Sequence, residues 1–282
     1  MNKNQIIFLA CGERSIQQLR IVLPAFLRFR GDAELVVYTD LEDELSKPTE
    51  DAVRVKPLVS AYSSTGDFVE FGGTDFARLT MMKALVIEDA LKSNSGWVLY
   101  CDTDVIPLRE FHDQIETFMQ RFHVFVSGEG RTFSPRSYCT GIIGVNCTDK
   151  ASAVIAAWAA YHEAGVFENP NMHDQIAFDR LMQERPDLES FVHVLPEGVA
   201  MPGWYYDFLY PIPRHTPIWF HANWCVGHEM KSERLRNIAA SLLHRKKPSW
   251  LQFLRLYLGY AADCFQRMRP SWLSMIGIRR LP

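Results

Sequence analysis

The chain has 282 residues, 48% hydrophobic and 22% charged, which is enough to bury a large core in one or two domains. The formal net charge of −3 gives no overall positive field, so nucleic acid is not an expected partner. No apolar run reaches the roughly 20 residues of a spanning helix, and Asn2-Lys3-Asn4-Gln5 opens onto too short an apolar run for a secretory signal.

Residues 6–10 read as a buried strand, followed by a turn at Cys11-Gly12-Glu13-Arg14. Ser15 is placed to cap a helix running to about Phe29, and Gly31-Asp32 breaks it. Leu35 to Tyr38 is a second strand, ending in Thr39-Asp40. This is β-α-β spacing, so parallel pairing is expected. Cys11 and Asp40 stand where the two strands end, as small polar groups suited to a nucleotide; for any single residue there, an ordinary loop start is the stronger reading. Residues 41–74 lack a pattern and read as a long functional loop. Asp75 to about Lys92 is helical, and Arg78 and Lys83 interrupt its apolar set.

Trp97 to Cys101 is the next buried strand, and it runs into Asp102-Thr103-Asp104. Open α/β sheets bind their ligands at the carboxyl ends of strands. Two carboxylates one residue apart are costly to desolvate without a partner. A hard divalent cation, which takes oxygen ligands, is the simplest one. Two solvated turn aspartates are the competing reading.

Arg109 to Gln120 reads as a helix, and Val124 to Val126 and Tyr138 to Asn146 as strands. The last carries two glycines, which weaken a strand but let a ligand come close to the backbone. Lys150 to Glu163 is an Ala-rich helix. A further helix ends near Arg185 and holds Asp174 and Gln175 in its first turn, where a carboxylate also suits the helix dipole. Residues 191–219, rich in Pro, Gly and aromatics, read as irregular walls. His221 ends an apolar run, and a helix is expected from about Ser232 to His244. Gly227 and Lys231 lie between them, a flexible turn and a cation near a helix start that suit a diphosphate.

From His244 onward eight basic residues face one acid, Asp263, so this tail carries +7 and residues 1–243 carry −10. Trp250 to Met268 has a narrow polar stripe within a wide apolar face, flanked by Lys246, Lys247, Arg267 and Arg269. A basic amphipathic helix of this kind fits an anionic membrane surface; a helix packed on the main domain or on a second copy is the alternative. The six cysteines form no C-x-x-C and several sit in apolar stretches, which points to free thiols in a reducing compartment.

Taken together, Phe76-Ala-Arg78 with Lys83, Tyr100-Cys-Asp102-Thr-Asp104, Thr140-Gly141, Asp174-Gln175, and His221 with Gly227 and Lys231 resemble the GT-A fold nucleotide-diphospho-sugar glycosyltransferases, in the galactosyltransferase-like group of retaining enzymes. The similarity runs from about residue 6 to 237. It implies an α/β fold with a mostly parallel central sheet and a Rossmann-like nucleotide-binding half, over residues 1–243, followed by the helical tail 244–282. By the same resemblance Asp102, Asp104 and His221 hold Mn²⁺ or Mg²⁺, and Asp174 and Gln175 act beside the sugar and acceptor. Cys11, Asp40, Arg78, Lys83, Asp102, Thr103, Thr140, Gly141, Gly227 and Lys231 line the donor.

The implied reaction moves a sugar from a nucleotide-diphospho-sugar, a UDP-sugar, to a glycan or glycolipid acceptor with retention of configuration. The expected location is cytoplasmic, with the tail on the inner face of a membrane. The spacing His221-x5-Gly227-x3-Lys231 departs from the family's H-x-x-G-x-x-K and leaves His228 as a competing ligand. A nucleotidyltransferase also uses carboxylates and a metal on an α/β sheet, but Cys11-Gly12-Glu13-Arg14 is a poor phosphate loop. A catalytically dead, membrane-recruited binding protein is the third reading.

Overall fold

The strands that are apolar almost throughout are the ones covered on both faces, as parallel strands between helix layers must be. The computed structural model describes residues 4–43, 45, 52–58, 74–94, 96–128, 138–169, 172–195, 199–202, 217–223 and 228–244. The sequence features at residues 59–73, Cys225, Gly227, Cys264 and the tail beyond His244 lie outside the described residues. Gln5–Ala10 (β1) and Trp97–Cys101 (β4) are buried at every position, and Glu34–Thr39 (β2) at all but its first.

With Val53–Pro57 (β3), Val124–Gly128 (β6), Tyr138–Asn146 (β7) and Val192–Val194 (β8) they form a seven-stranded sheet, ordered β3-β2-β1-β4-β7-β6-β8. The pairings β1–β2, β1–β4, β2–β3 and β6–β8 are parallel, while β7 runs antiparallel to both β4 and β6. The chain leaves β1 toward β2 and β3, then returns to β4 on the other side of β1. The strand order therefore reverses between β1 and β4, which opens a crevice at their carboxyl ends.

Helices cover both faces. Gly12–Phe29 (α1), His112–Arg121 (α3) and His228–His244 (α7) lie with one core that includes Phe8, Phe26, Phe111, Trp219 and Leu235. Thr74–Lys92 (α2), Asp149–Glu168 (α4) and Asp174–Glu184 (α5) lie with the other, around Tyr100, Trp158, Phe178 and Met182. Pro186–Glu189 (α6) is a single turn. No helix among the described residues is long and apolar enough to cross a membrane.

Several local expectations change. Helix α1 begins at Gly12, ahead of Ser15; Gly12 adopts φ 75°, which favours glycine, and its N–H donates to Asp40 Oδ1 at 2.9 Å, which anchors the turn from β1. The stretch read as irregular contains β3, whose Val-Arg-Val-Lys alternation is that of a half-exposed edge strand. Helix α7 starts at His228, four residues earlier than expected, and α3 starts at His112 instead of Arg109. The walls at 191–219 contain β8 and Ala200–Pro202 (β9).

Ala200–Pro202, Val105–Pro107 (β5) and Trp219–His221 (β10) form a second, three-stranded sheet, ordered β5-β10-β9. No pattern in the sequence announced it, since each strand has only three residues.

Gly144 of β7 pairs with Phe125 of β6 and carries the Phe125 ring over its bare backbone. A Cβ there would lie 2.1 Å from the ring. Gly144→Ala is expected to cost about 1–3 kcal/mol by overpacking, read as a lower denaturation midpoint, with turnover of the folded enzyme unchanged.

Candidate active site

Strand direction gathers the site. The carboxyl ends of β1, β2 and β4 meet at one edge of the large sheet, and antiparallel β7 brings its amino end, Tyr138 to Gly141, to the same edge. The backbone N–H of Asp102 donates to Gly141 O at 2.8 Å, which ties the end of β4 to β7. The chain turns at Asp102-Thr103-Asp104, with Val105 N–H donating to Asp102 O at 3.0 Å, and enters β5. Antiparallel β10 then sets His221 opposite Val105, and Ala222 N–H donates to Asp104 O at 2.9 Å. The small sheet is thus the device that delivers His221 to the aspartates.

His221 Nε2 lies 3.1 Å from Asp104 Oδ1 and 3.8 Å from Asp102 Oδ2. One ligand atom from each of Asp102, Asp104 and His221 falls within 4.8 Å of the others. Two carboxylates and an imidazole suit a borderline or hard divalent cation such as Mn²⁺ or Mg²⁺. The donor set therefore fits the expected metal. His228, the competing histidine, instead lies 3.3 Å from Ser232 Oγ within α7.

A buried ion network surrounds this group. Lys83 Nζ, from α2, lies 2.8 Å from Asp102 Oδ1 and 2.6 Å from Asp174 Oδ2. Asp174, at the first turn of α5, also accepts from Thr140 Oγ1 at 2.5 Å, and its backbone N–H donates to Thr80 Oγ1 at 3.2 Å. Tyr100 OH donates to Asp102 Oδ1 at 2.8 Å. Lys231 Nζ, in the first turn of α7, lies 2.6 Å from Asp104 Oδ2.

These contacts fix the charges. Burial alone would raise the pKa of Asp174, but Lys83 outweighs it and holds the carboxyl far below the usual range. Burial would likewise raise Asp104; Lys231 and His221 hold it down. Burial would lower Lys83, yet Asp102 and Asp174 keep it firmly protonated. Burial would lower His221, and Asp104 raises it well above the ordinary imidazole range. A cation and a proton compete for the Nε2 lone pair.

Of the residues singled out from sequence, Lys83, Asp102, Asp104, Thr140, Gly141, Asp174, His221 and Lys231 meet in this one network. Cys11 occupies the N-cap position of α1, its thiol pushed up by burial and then by Asp40, and so neutral. Thr103 is buried, with its hydroxyl 3.4 Å from Gln18 Oε1. Gln175 is half-buried beside Asp174. Arg78 is exposed on α2.

Sequence reasoning quoted Tyr100 within a motif without giving it a role, and passed over Thr80 and Cys139. Tyr100 precedes Asp102 by two, so strand alternation offered it. Thr80 precedes Lys83 by three and shares its helix face. Cys139 precedes Gly141 by two on β7, and its sulfur lies 3.5 Å from His221 Nδ1.

Gly141 leaves room for the His221 ring, since a Cβ there would lie 2.2 Å from Cε1. Gly141→Ala is expected to push the imidazole off the aspartates. A displacement of about 1 Å costs on the order of 10²-fold in rate, so the variant should lose turnover and Mn²⁺ affinity together. Steady-state kinetics beside a metal titration check this.

A family profile described as nucleotide-diphospho-sugar transferase matches residues 48–235. No protein of curated function matches the chain by sequence. Among solved structures the chain is similar to mouse xyloside xylosyltransferase 1 in its apo form, at 12% identity and TM-score 0.52, over 78% of this chain and 98% of that one. It is similar to the apo glycosyltransferase GlyE of Streptococcus pneumoniae TIGR4, at 13% identity and TM-score 0.55, over 88% of this chain and 65% of that one. The galactosyltransferase LgtC, in complex with donor and acceptor sugar analogs, matches at 13% identity and TM-score 0.52, over 88% and 99%. At these identities the likeness is one of fold. It is the GT-A arrangement, an α/β fold with a mostly parallel sheet between helices.

Proposed function

Because the chain belongs to the nucleotide-diphospho-sugar transferase family, and so is a glycosyltransferase, we propose that it moves a hexosyl unit from a UDP-sugar to a glycan or glycolipid acceptor, with retention of configuration, using Mn²⁺ or Mg²⁺ on Asp102, Asp104 and His221. The observation that carries this reading is the convergence of those three side chains from β4, the turn before β5, and β10, with ligand atoms within 4.8 Å. A divalent cation bound there would neutralise charge developing on the diphosphate leaving group. Family membership takes precedence over the nucleotidyltransferase alternative. The charged network argues against a dead binding fold.

The chain's own residues supply the rest. Lys231 stands in the first turn of α7 with its ammonium on Asp104, where it can meet a donor phosphate. Cys11, Asp40 and Thr103, at the strand ends beside the crevice, would line the nucleoside side. Thr140 and Gly141 edge the same crevice. Arg78, exposed on α2, would reach the donor from outside. Asp174 is held ionised and oriented by Lys83 and Thr140, so it serves the sugar as a fixed negative charge and acceptor, with Gln175 next to it facing the acceptor.

The test is incubation with a panel of nucleotide sugars and Mn²⁺, following nucleotide release. UDP release from one UDP-sugar, abolished by chelator, is the expected result; unchanged release in chelator would remove the metal from the reading. The proposed cytoplasmic location with the tail on an anionic inner leaflet rests on the +7 charge and aromatic-rich face of residues 244–282. Each basic residue near such a surface contributes about 1 kcal/mol. Co-sedimentation of the full chain with anionic liposomes at low salt checks it, and a chain left wholly in the supernatant would refute it.

A further inference from the structure

We infer that Cys139 is a positioning residue for the proposed cation, its sulfur accepting from His221 Nδ1–H and thereby fixing the ring so that Nε2 is presented to a cation held beside Asp104. The inference rests on the reading of Asp102, Asp104 and His221 as the cation's ligands. Histidines that bind metals almost always engage their second ring nitrogen, which fixes the tautomer and the ring plane. In this site the two ring nitrogens face opposite partners: Nε2 lies 3.1 Å from Asp104 Oδ1, and Nδ1 lies 3.5 Å from Cys139 Sγ.

The sulfur is not one of the atoms that cluster for the cation. That group holds Asp102, Asp104 and His221 alone among the described residues, and the thiol stands on the far edge of the ring. Cys139 is 4% exposed and His221 7%, so water is a poor competitor for Nδ1. Asn223 Nδ2 approaches the same sulfur at 3.9 Å, from two residues after His221. The thiol is thus braced by the segment whose histidine it orients.

Strand geometry explains the placement. Cys139 and Gly141 alternate with Thr140 on β7. The first two face His221, one touching its edge and the other clearing space for it, while Thr140 faces Asp174. The strand therefore serves both halves of the site from three consecutive residues. A carboxylate in place of the thiol would add a third negative charge beside Asp102 and Asp104. A thiol is a weak neutral acceptor, so it orients the ring without adding charge to the pocket.

The experiment measures Mn²⁺ binding alone by the electron paramagnetic resonance signal of free Mn²⁺, for the parent, C139V, C139A, C139S, H221A and D104N. Thermal melts confirm that each is folded. C139V and C139A should bind about 10- to 100-fold more weakly, and C139S, which keeps an acceptor, should recover most of the loss. Val retains volume without a lone pair, so a packing role alone would leave C139V like the parent. That result, with H221A and D104N impaired, overturns this inference and leaves the cation site standing. If H221A and D104N also bind like the parent, the cation reading and this inference fall together. Nitrogen NMR of His221 in the parent with Mg²⁺ gives a second readout that needs no variant. A protonated Nδ1 and bare Nε2 support the inference, and a persistent Nε2–H overturns it.

Discussion

Asp104→Asn should retain the fold and lose at least about 10²-fold in turnover with whichever nucleotide sugar the parent uses, the scale of losing one electrostatic stabiliser. The reason lies in what Asp104 does at once. Its Oδ1 faces His221 and its Oδ2 faces Lys231, so one carboxylate holds a candidate metal ligand and a candidate phosphate lysine in register. Its backbone carbonyl also takes the Ala222 N–H, which the substitution leaves intact. The side chain, not the turn, is being tested. The amide keeps the volume and removes the negative charge that attracts both a cation and Lys231. Kinetics at saturating donor, with and without excess Mn²⁺, measure the loss. A variant within a few-fold of the parent would remove Asp104 from the chemistry.

The second large effect is on stability. Lys83→Met should destabilise the protein by about 3–5 kcal/mol, the usual result of removing one partner from a buried ion pair. Lys83 bridges Asp102 and Asp174, and the Asp174 side chain is 6% exposed. Without the lysine, buried Asp174 and half-buried Asp102 lose the ammonium that bridges them.

The pH dependence has a definite sign. Asp174 has a depressed pKa, so its contribution in the parent is present above the unfolded carboxylate pKa near 3.9 and is lost as pH falls through the folded value. Lys83 has a raised pKa, so its contribution is present below about 10.4 and is lost as pH rises through its folded value. The gap between parent and variant should therefore be widest near neutral pH and shrink in acid, where the unfolded parent takes up the proton that its folded Asp174 refuses, while Asp174 of the variant, buried without its lysine, is protonated in the folded state. Thermal melts in chelator at both pH values read this directly. An equal gap at pH 7 and in acid would show that the lysine acts by packing alone.

Five strands of the large sheet, β1, β2, β4, β6 and β7, were legible because they are apolar runs bounded by turn residues, whereas β3 and β8 lay in stretches read as irregular. The span from Tyr138 to Asn146 was read as it stands, and the helix after residue 74 nearly so. The aspartate pair was legible because carboxylates at the end of a buried strand contradict their surroundings. The small sheet was not, since three-residue strands carry no period and β5 pairs with β10 through tertiary contact alone. The same limit hid Cys139. A cysteine in an apolar strand looks like a small core residue, and only the fold brings it against a histidine 82 positions away. Lys83 was visible on its helix, but its burial between two acids depends on β4 and α5 together.

The pairing of β5 with β10 also sets an order of events during synthesis. Val105 and His221 are register partners, although 116 positions separate them (105 to 221). At the usual pace of translation that gap takes on the order of 10 s. Over that interval β1, β2 and β4 can already form their parallel core, with both aspartates in place and no histidine beside them. Such late, non-local closure is entropically slow. A nascent chain would thus hold Asp104 without His221 or Lys231 beside it, and the complete candidate ligand set would be among the last features to mature.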